Sequence, residues 1–192
     1  MERHSKGVVK SLCYAHIFFT DVPKRTDYDN NSDVLSFDVV TDQSPLENLR
    51  GISGYEPRFA GVVWSMTPDV QADIGLSVTK IHHWDNRPQD SNPTYAGIKQ
   101  ISFVSKRHNL GTEIFHARYL AHASIAREHH GMQAYAQNLD IDIVYGSPSD
   151  GFEINAISEL WFATREDWDE RFYLDTSSPV SYTHLTLPTT LT

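Results

Sequence analysis

The chain has 192 residues, enough for one ordinary domain or two small ones, with 40% hydrophobic and 21% charged residues, the balance of a soluble globular fold with a packable core. Its formal charge is -9 and its Lys and Arg residues are scattered, which argues against a nucleic-acid or anionic-membrane surface. A single cysteine, Cys13, excludes an intrachain disulfide and points to a reducing, cytoplasmic setting.

The predicted elements follow in chain order. Leu12 to Thr20 reads as a strand, with Cys13 as a small buried hydrophobe. This apolar run is too short for a membrane span and lacks a cleavage site after it, so no signal peptide is expected. "TDVPKRTDYDNNSD" is a loop by composition, and Val34 to Thr41 is a second strand. "SPLENLRGI" has a helical turn's signals: Ser44 as N-cap, Pro45 at the first position and Glu47 three residues after the cap. "FAGVVWSM" and "GLSVTKIHHWD" are the third and fourth strands. Asn86 to Thr94 is polar and Pro-punctuated, the best candidate for a linker, so the first unit is taken as 1–94.

In the second unit, 95–179, Ile98 to Lys106 is a strand. Thr112 to about His130 is a helix closed by Gly131. "MQAYAQNLDIDIVY" is one strand or two joined, "SPSDG" a turn, and "FEINAISELWF" a further strand. "TREDWDERFYL" is a second helix with Thr164 as N-cap. The order β–α–β–β–α, with a last strand expected after it, is the split βαβ or ferredoxin-like arrangement of an α+β fold. The first unit has strands where a diverged copy would put them, although no residue-level repeat links the two.

The tail, "VSYTHLTLPTTLT" from Val180 to Thr192, carries no Asp, Glu, Lys or Arg and has four threonines in its last seven residues. It resembles the translation of a transposon end and adapter used in sequencing libraries. That resemblance implies that 180–192 is non-native and that the natural reading departs near Pro179. The rival is a Thr-rich terminal strand.

The helix "FHARYLAHASIAREHHG" poses the functional question. At about 100° per residue, with Phe115 at zero, Ala126 falls near 20°, Tyr119 near 40° and His122 near 340°. His122 is therefore expected at the centre of the apolar face. Burial there favours neutral imidazole, which can give or take a proton near neutral pH. Three readings stand side by side: catalytic base, metal ligand, or core histidine with a partner. Metal spacing is poor, since His116 and His122 are six apart and the pairs His82-His83 and His129-His130 diverge. No glycine-rich phosphate loop and no G-x-S-x-G elbow is present. No cofactor and no metal is expected.

"EIFHARYLAHASIAREHHGMQAYAQN" and "DGFEINAISELWFATREDW" together resemble the EthD domain over roughly Tyr95 to Ser178. The positions that agree are Glu113 and Phe115, Tyr119 and His122, Gly131, Tyr135 with Gln137 and Asn138, Asp150-Gly151, and Glu159 with Phe162. Tyr119 stands where the family more often has Trp, and "REHHG" departs from the usual run. The resemblance implies a dimeric α/β barrel: two ferredoxin-like units, as a homodimer or an intrachain pseudo-dimer, packing their sheets face to face around an apolar pocket. It implies a small apolar or aromatic organic ligand and an oxidoreductase-class or cofactor-free tailoring or degradation enzyme. His122 would be the acid/base, aided by Glu159. Tyr119, Tyr135, Gln137, Asn138, Phe103 and Trp161 would bind substrate. Alternation along the strands groups Tyr135 with Gln137 against Asn138, and Glu159 with Trp161 against Leu160 and Phe162, and leaves open which set lines the pocket. Two rivals to an enzyme remain: a non-catalytic carrier for an oxidative pathway, and an interaction module with a filled barrel.

Overall fold

The computed structural model describes residues 9–41, 59–88, 94–148 and 153–170, together with the backbone of 189–191. The turns predicted at Ser44 and at Asp150-Gly151 lie outside these residues. The strands are β1 (Val9–Phe18), β2 (Val34–Val39), β3 (Gly61–Ser65), β4 (Ile74–Asp85), β5 (Ile98–Val104), β6 (Ala134–Gly146), β7 (Ala156–Phe162) and β8 (Thr189–Leu191). The helices are α1 (Thr112–His129) and α2 (Arg165–Trp168). The fold is α+β. β8 belongs to the tail set apart above, and its backbone pairs with β5 at the sheet edge.

One antiparallel sheet holds all eight strands, in the order β2-β3-β1-β4-β6-β7-β5-β8. The four strands before residue 94 and the four after it follow the same order, second-third-first-fourth. The fourth strand of the first set pairs with the second strand of the next set through the long β4–β6 ladder, Ile74↔Gly146 to Asp85↔Ala134. Sheet and core thus run across the predicted linker. The Asn86 N–H donates to the Gln133 carbonyl, which ties the start of that linker to the residue just before β6.

The β4–β6 ladder breaks register three times. Between Ser77 and Thr79 one residue of β4 faces two of β6, and Asp140 there takes a left-handed φ of 50°. Asp tolerates that conformation because its short carboxylate bonds locally. Such bulges increase local twist and bend the strand, which helps the sheet curl. The curl brings the inner faces of the two halves together. Phe59 meets Phe103 edge-on at 4.7 Å, and one buried cluster joins Cys13, Ala15, Ile17, Val62 and Trp64 to Ile101, Phe103 and Ile157.

The outer face differs between halves. In the second, α1 lies between β5 and β6 and α2 follows β7. Phe115, Tyr119, Ala123 and Ala126 of α1 are buried against Tyr135, Leu139, Leu160 and Phe162. The backbone turns at Gly131 with φ of 59°, as the C-terminal glycine predicts. Among the described residues of the first half, loops do this work. A 3₁₀ turn at Arg25–Asp27 follows β1, and Tyr28 and Val70 pack over Phe18 and Val63. His16, fully buried, ties the 66–73 loop down: Nε2 is 2.7 Å from Ser65 Oγ, and Nδ1 is 2.8 Å from the hydroxyl of Tyr145, which donates to the Val70 carbonyl. Among the described residues no helix is long and apolar enough to cross a membrane.

Candidate functional site

Among the described residues, charged side chains gather at one place on the otherwise largely apolar inner face. Four strands each send a charged side chain inward there, on the parity of their buried apolar neighbours. Lys80 follows Leu76 and Val78 on β4; Lys99 precedes Ile101 and Phe103 on β5; Glu159 sits between Ile157 and Trp161 on β7; Asp38 points inward from β2. Glu159 is fully buried and accepts both cations: Lys80 Nζ is 2.6 Å from Oε1 and Lys99 Nζ is 3.0 Å from Oε2. The second contact is an ion pair without a well-aligned hydrogen bond. Lys99 also pairs with Asp38, whose Oδ2 accepts from Trp64 Nε1 at 2.9 Å. Two ammonium groups and two carboxylates balance, as buried charges must.

Aromatic rings flank the cluster. Lys80 Nζ lies 4.4 Å from the Trp64 ring centroid and Lys99 Nζ lies 4.9 Å from that of Trp161. Arg87 stacks on Trp161 at 4.5 Å and is held there by Asp85. Asn138, directly across the β4–β6 ladder from Lys80, donates from Nδ2 to Glu159 Oε1 at 3.0 Å and to the Ile157 carbonyl at 3.1 Å. Its Oδ1 is buried and has no hydrogen-bond partner among the described residues.

The electrostatics set what these groups can do. Burial opposes ionisation of Glu159, but Lys80 and Lys99 outweigh it and hold the carboxyl down to about 2. Such a carboxylate is an anchor for two cations and too weak a base to take a proton at neutral pH. Burial lowers Lys99, yet Asp38 and Glu159 raise it further, so the ammonium persists. His82 follows Lys80 on the same face; burial first, and then Lys80, keep its imidazole below the ordinary value and hence neutral.

The expected site residues separate into two groups. Glu159, Asn138, Trp161 and Phe103 are on the inner face. Tyr119, Tyr135, Gln137 and His122 are on the outer face, with α1. Tyr119 bonds Ser158, which neighbours Glu159 on β7 and points the opposite way. Gln137 donates from Nε2 to the Tyr119 carbonyl and the Tyr135 hydroxyl and meets His83 Nε2 through Oε1. This network docks the helix and uses the capacity of its members. Burial raises the Tyr119 and Tyr135 hydroxyls, so neither is a phenolate. The sheet lies between His122 and Glu159.

His122 itself is half-buried at the edge of the helix face, and Ala123 takes the position toward the sheet. The buried arc runs from Phe115 to Ala123 and is centred on Tyr119, which moves His122 off the middle where it was expected. Burial, then neighbouring His130, keep its imidazole neutral. It makes no hydrogen bond among the described residues. No three His, Cys, Asp or Glu side chains group to hold a metal ion among the described residues.

The sequence reading missed Asp38, Lys80, Lys99, Trp64, His82 and Arg87. A signal was present: charged residues of opposite sign stand on the apolar parity of separate strands, Lys80, Lys99 and Glu159 among them. A solvated face does not require that pattern, whereas an internal ion cluster does. Comparison with protein families, curated proteins and solved structures finds no match to the chain.

Proposed function

We propose that the chain is an EthD-like α/β-barrel protein, closed within one chain as a pseudo-dimer, that binds a small, largely apolar organic molecule against the inner face of its sheet. The observation that carries this reading is the repeated strand order. Second-third-first-fourth is the ferredoxin-like order; β2-β3-β1-β4 follows it in full, and β6-β7-β5 follows its first three places without the tail strand β8. Ligand sites are mostly apolar with a few convergent polar groups. The Lys80, Lys99, Glu159 and Asn138 cluster between Trp64 and Trp161 has that character. Binding is favoured over chemistry by a His122–Glu159 pair, because the two groups face away from each other.

The test is thermal melting of the full chain with a panel of small aromatic molecules. A ligand at 100 times its Kd adds about 2.7 kcal/mol, which in a chain of this size is on the order of 5–10 °C. Trp161→Ala should abolish the shift and His122→Ala should leave it. A shift lost in His122→Ala and kept in Trp161→Ala would place the ligand on the helix side and refute the reading.

A second reading is supported by His122, a neutral imidazole without a hydrogen bond among the described residues. It is an enzyme of oxidoreductase or tailoring type in which His122 is the acid/base. It requires that His122→Ala abolish turnover while the melting temperature is kept.

A further inference from the structure

We propose that His83 is a positioned base on the helix side of the sheet, whose Nδ1 takes a proton from a small, flat, weakly acidic molecule. The sheet separates this place from the inner-face site, so neither depends on the other.

A bulge places the side chain. His82 pairs with Ala136 and Trp84 with Tyr135, so His83 is the extra residue of β4 in that ladder. Strict alternation would send His83 and Trp84 to opposite faces. Instead both rings pack against Tyr135, 5.4 and 5.3 Å between centroids, and the imidazole stacks on it at 23°. Bulges re-aim side chains in this way and are common beside active sites.

Hydrogen bonds then fix the ring's proton. Gln137, fully buried, donates from Nε2 to the Tyr119 carbonyl at 2.6 Å and to the Tyr135 hydroxyl at 2.9 Å. Turned over, its amide oxygen would face the Tyr119 carbonyl, acceptor against acceptor. Oε1 is therefore the atom 2.9 Å from His83 Nε2, and Nε2 carries the proton. Nδ1 keeps the lone pair. It has no hydrogen bond among the described residues, yet the buried side-chain atoms in that condition are Asn138 Oδ1 and Glu159 Oε2. His83 is half-buried, and Nδ1 is on its open side. Burial outweighs the Gln137 bond and keeps the imidazole below its ordinary value, so the lone pair is available at neutral pH. A general base needs this arrangement: a lone pair within a ligand's reach and a third group that orients the ring. Half-buried Trp84 flanks the imidazole at 6.5 Å, an apolar neighbour for a flat molecule.

Nitrobenzisoxazole tests this with the full chain at pH 7.5. Nδ1 takes the proton of the isoxazole C–H, that bonding pair becomes the third bond of a nitrile, and the N–O bond breaks with its pair leaving on a phenolate oxygen. The imidazolium then returns its proton to water. The chain is expected to open the ring about tenfold or more faster than free imidazole at equal concentration. His83→Phe, which keeps a ring on Tyr135, should lose that gain, and His108→Ala, at an exposed histidine, should keep it. Nitrogen NMR of the unaltered protein should show the His83 proton on Nε2. A rate no greater than that of imidazole overturns the inference. So does a gain that persists in folded His83→Phe or is lost instead in His122→Ala, and so does a proton on Nδ1. Should His83→Phe fail to fold, the nitrogen spectrum decides.

Discussion

Replacing Glu159 with glutamine removes the anion that two buried cations share. Lys80 and Lys99 are 10% and 8% exposed at their side chains, so neither can swing into water without unpacking the inner face. Asp38 still neutralises one of them. The other is left as an uncompensated buried charge, for which about 3–5 kcal/mol is the usual cost. The carboxyl's own titration gives a similar figure. A group held at about 2 in place of its ordinary 4.5 corresponds to about 3 kcal/mol of stabilisation at neutral pH. Urea denaturation at pH 7 should show that loss, and the melting temperature should fall by on the order of 10 °C. The sign in pH follows, because a depressed carboxyl stabilises above its unfolded value. Glu159's contribution is complete above 4.5 and is lost as pH falls from there toward about 2, and Glu159→Gln removes this part of the acid sensitivity. The double variant Lys80→Met/Glu159→Met should recover most of the loss, since Lys99 keeps Asp38. A loss under about 1 kcal/mol in Glu159→Gln at pH 7, or no recovery in the double variant, would refute an internal ion cluster anchored on Glu159.

Acid should also act through the histidines. Burial holds His16, His82, His83 and His122 below their ordinary 6.5, so their stabilising contribution is present above that value and is lost as pH falls through the lowered ones. Urea midpoints at pH 7.5 and pH 5 should differ in that direction, and His16→Asn should narrow the gap; an unchanged gap would remove His16 from the account. Tyr119→Phe removes one of the two tyrosine hydroxyls that meet the buried Ser158 hydroxyl and should cost about 0.5–1.5 kcal/mol in urea denaturation. Equal stability would mean that this bond does not dock α1. Cys13 is buried and its thiol is pushed up to about 11, chiefly by burial. A thiol-reactive dye should therefore label it only at the rate of unfolding, and fast labelling under native conditions would contradict its position in the core.

Local pattern already settled much of this protein. The 3.6-residue period and Gly131 placed α1 to within one residue at its end, because helix formation and its glycine stop depend on neighbours in sequence. Alternation grouped Tyr135 with Gln137 against Asn138, and Glu159 with Trp161 against Leu160, because a strand's side chains change sides at every residue. Tertiary structure decided which group faces inward. That choice depends on what the curled sheet encloses and where α1 lands, and no local period encodes either. It also decided that Lys99 meets Asp38, 61 residues away, and that Lys80 lies opposite Asn138. His122 moved from the centre of its helix face to the edge because the sheet beneath α1 accepts the arc centred on Tyr119. Residue identities show no repeat between the halves, while the strand orders β2-β3-β1-β4 and β6-β7-β5-β8 run the same way. Many apolar residues satisfy one buried position equally well, whereas pairing order is held by the ladder of backbone hydrogen bonds and the burial it permits.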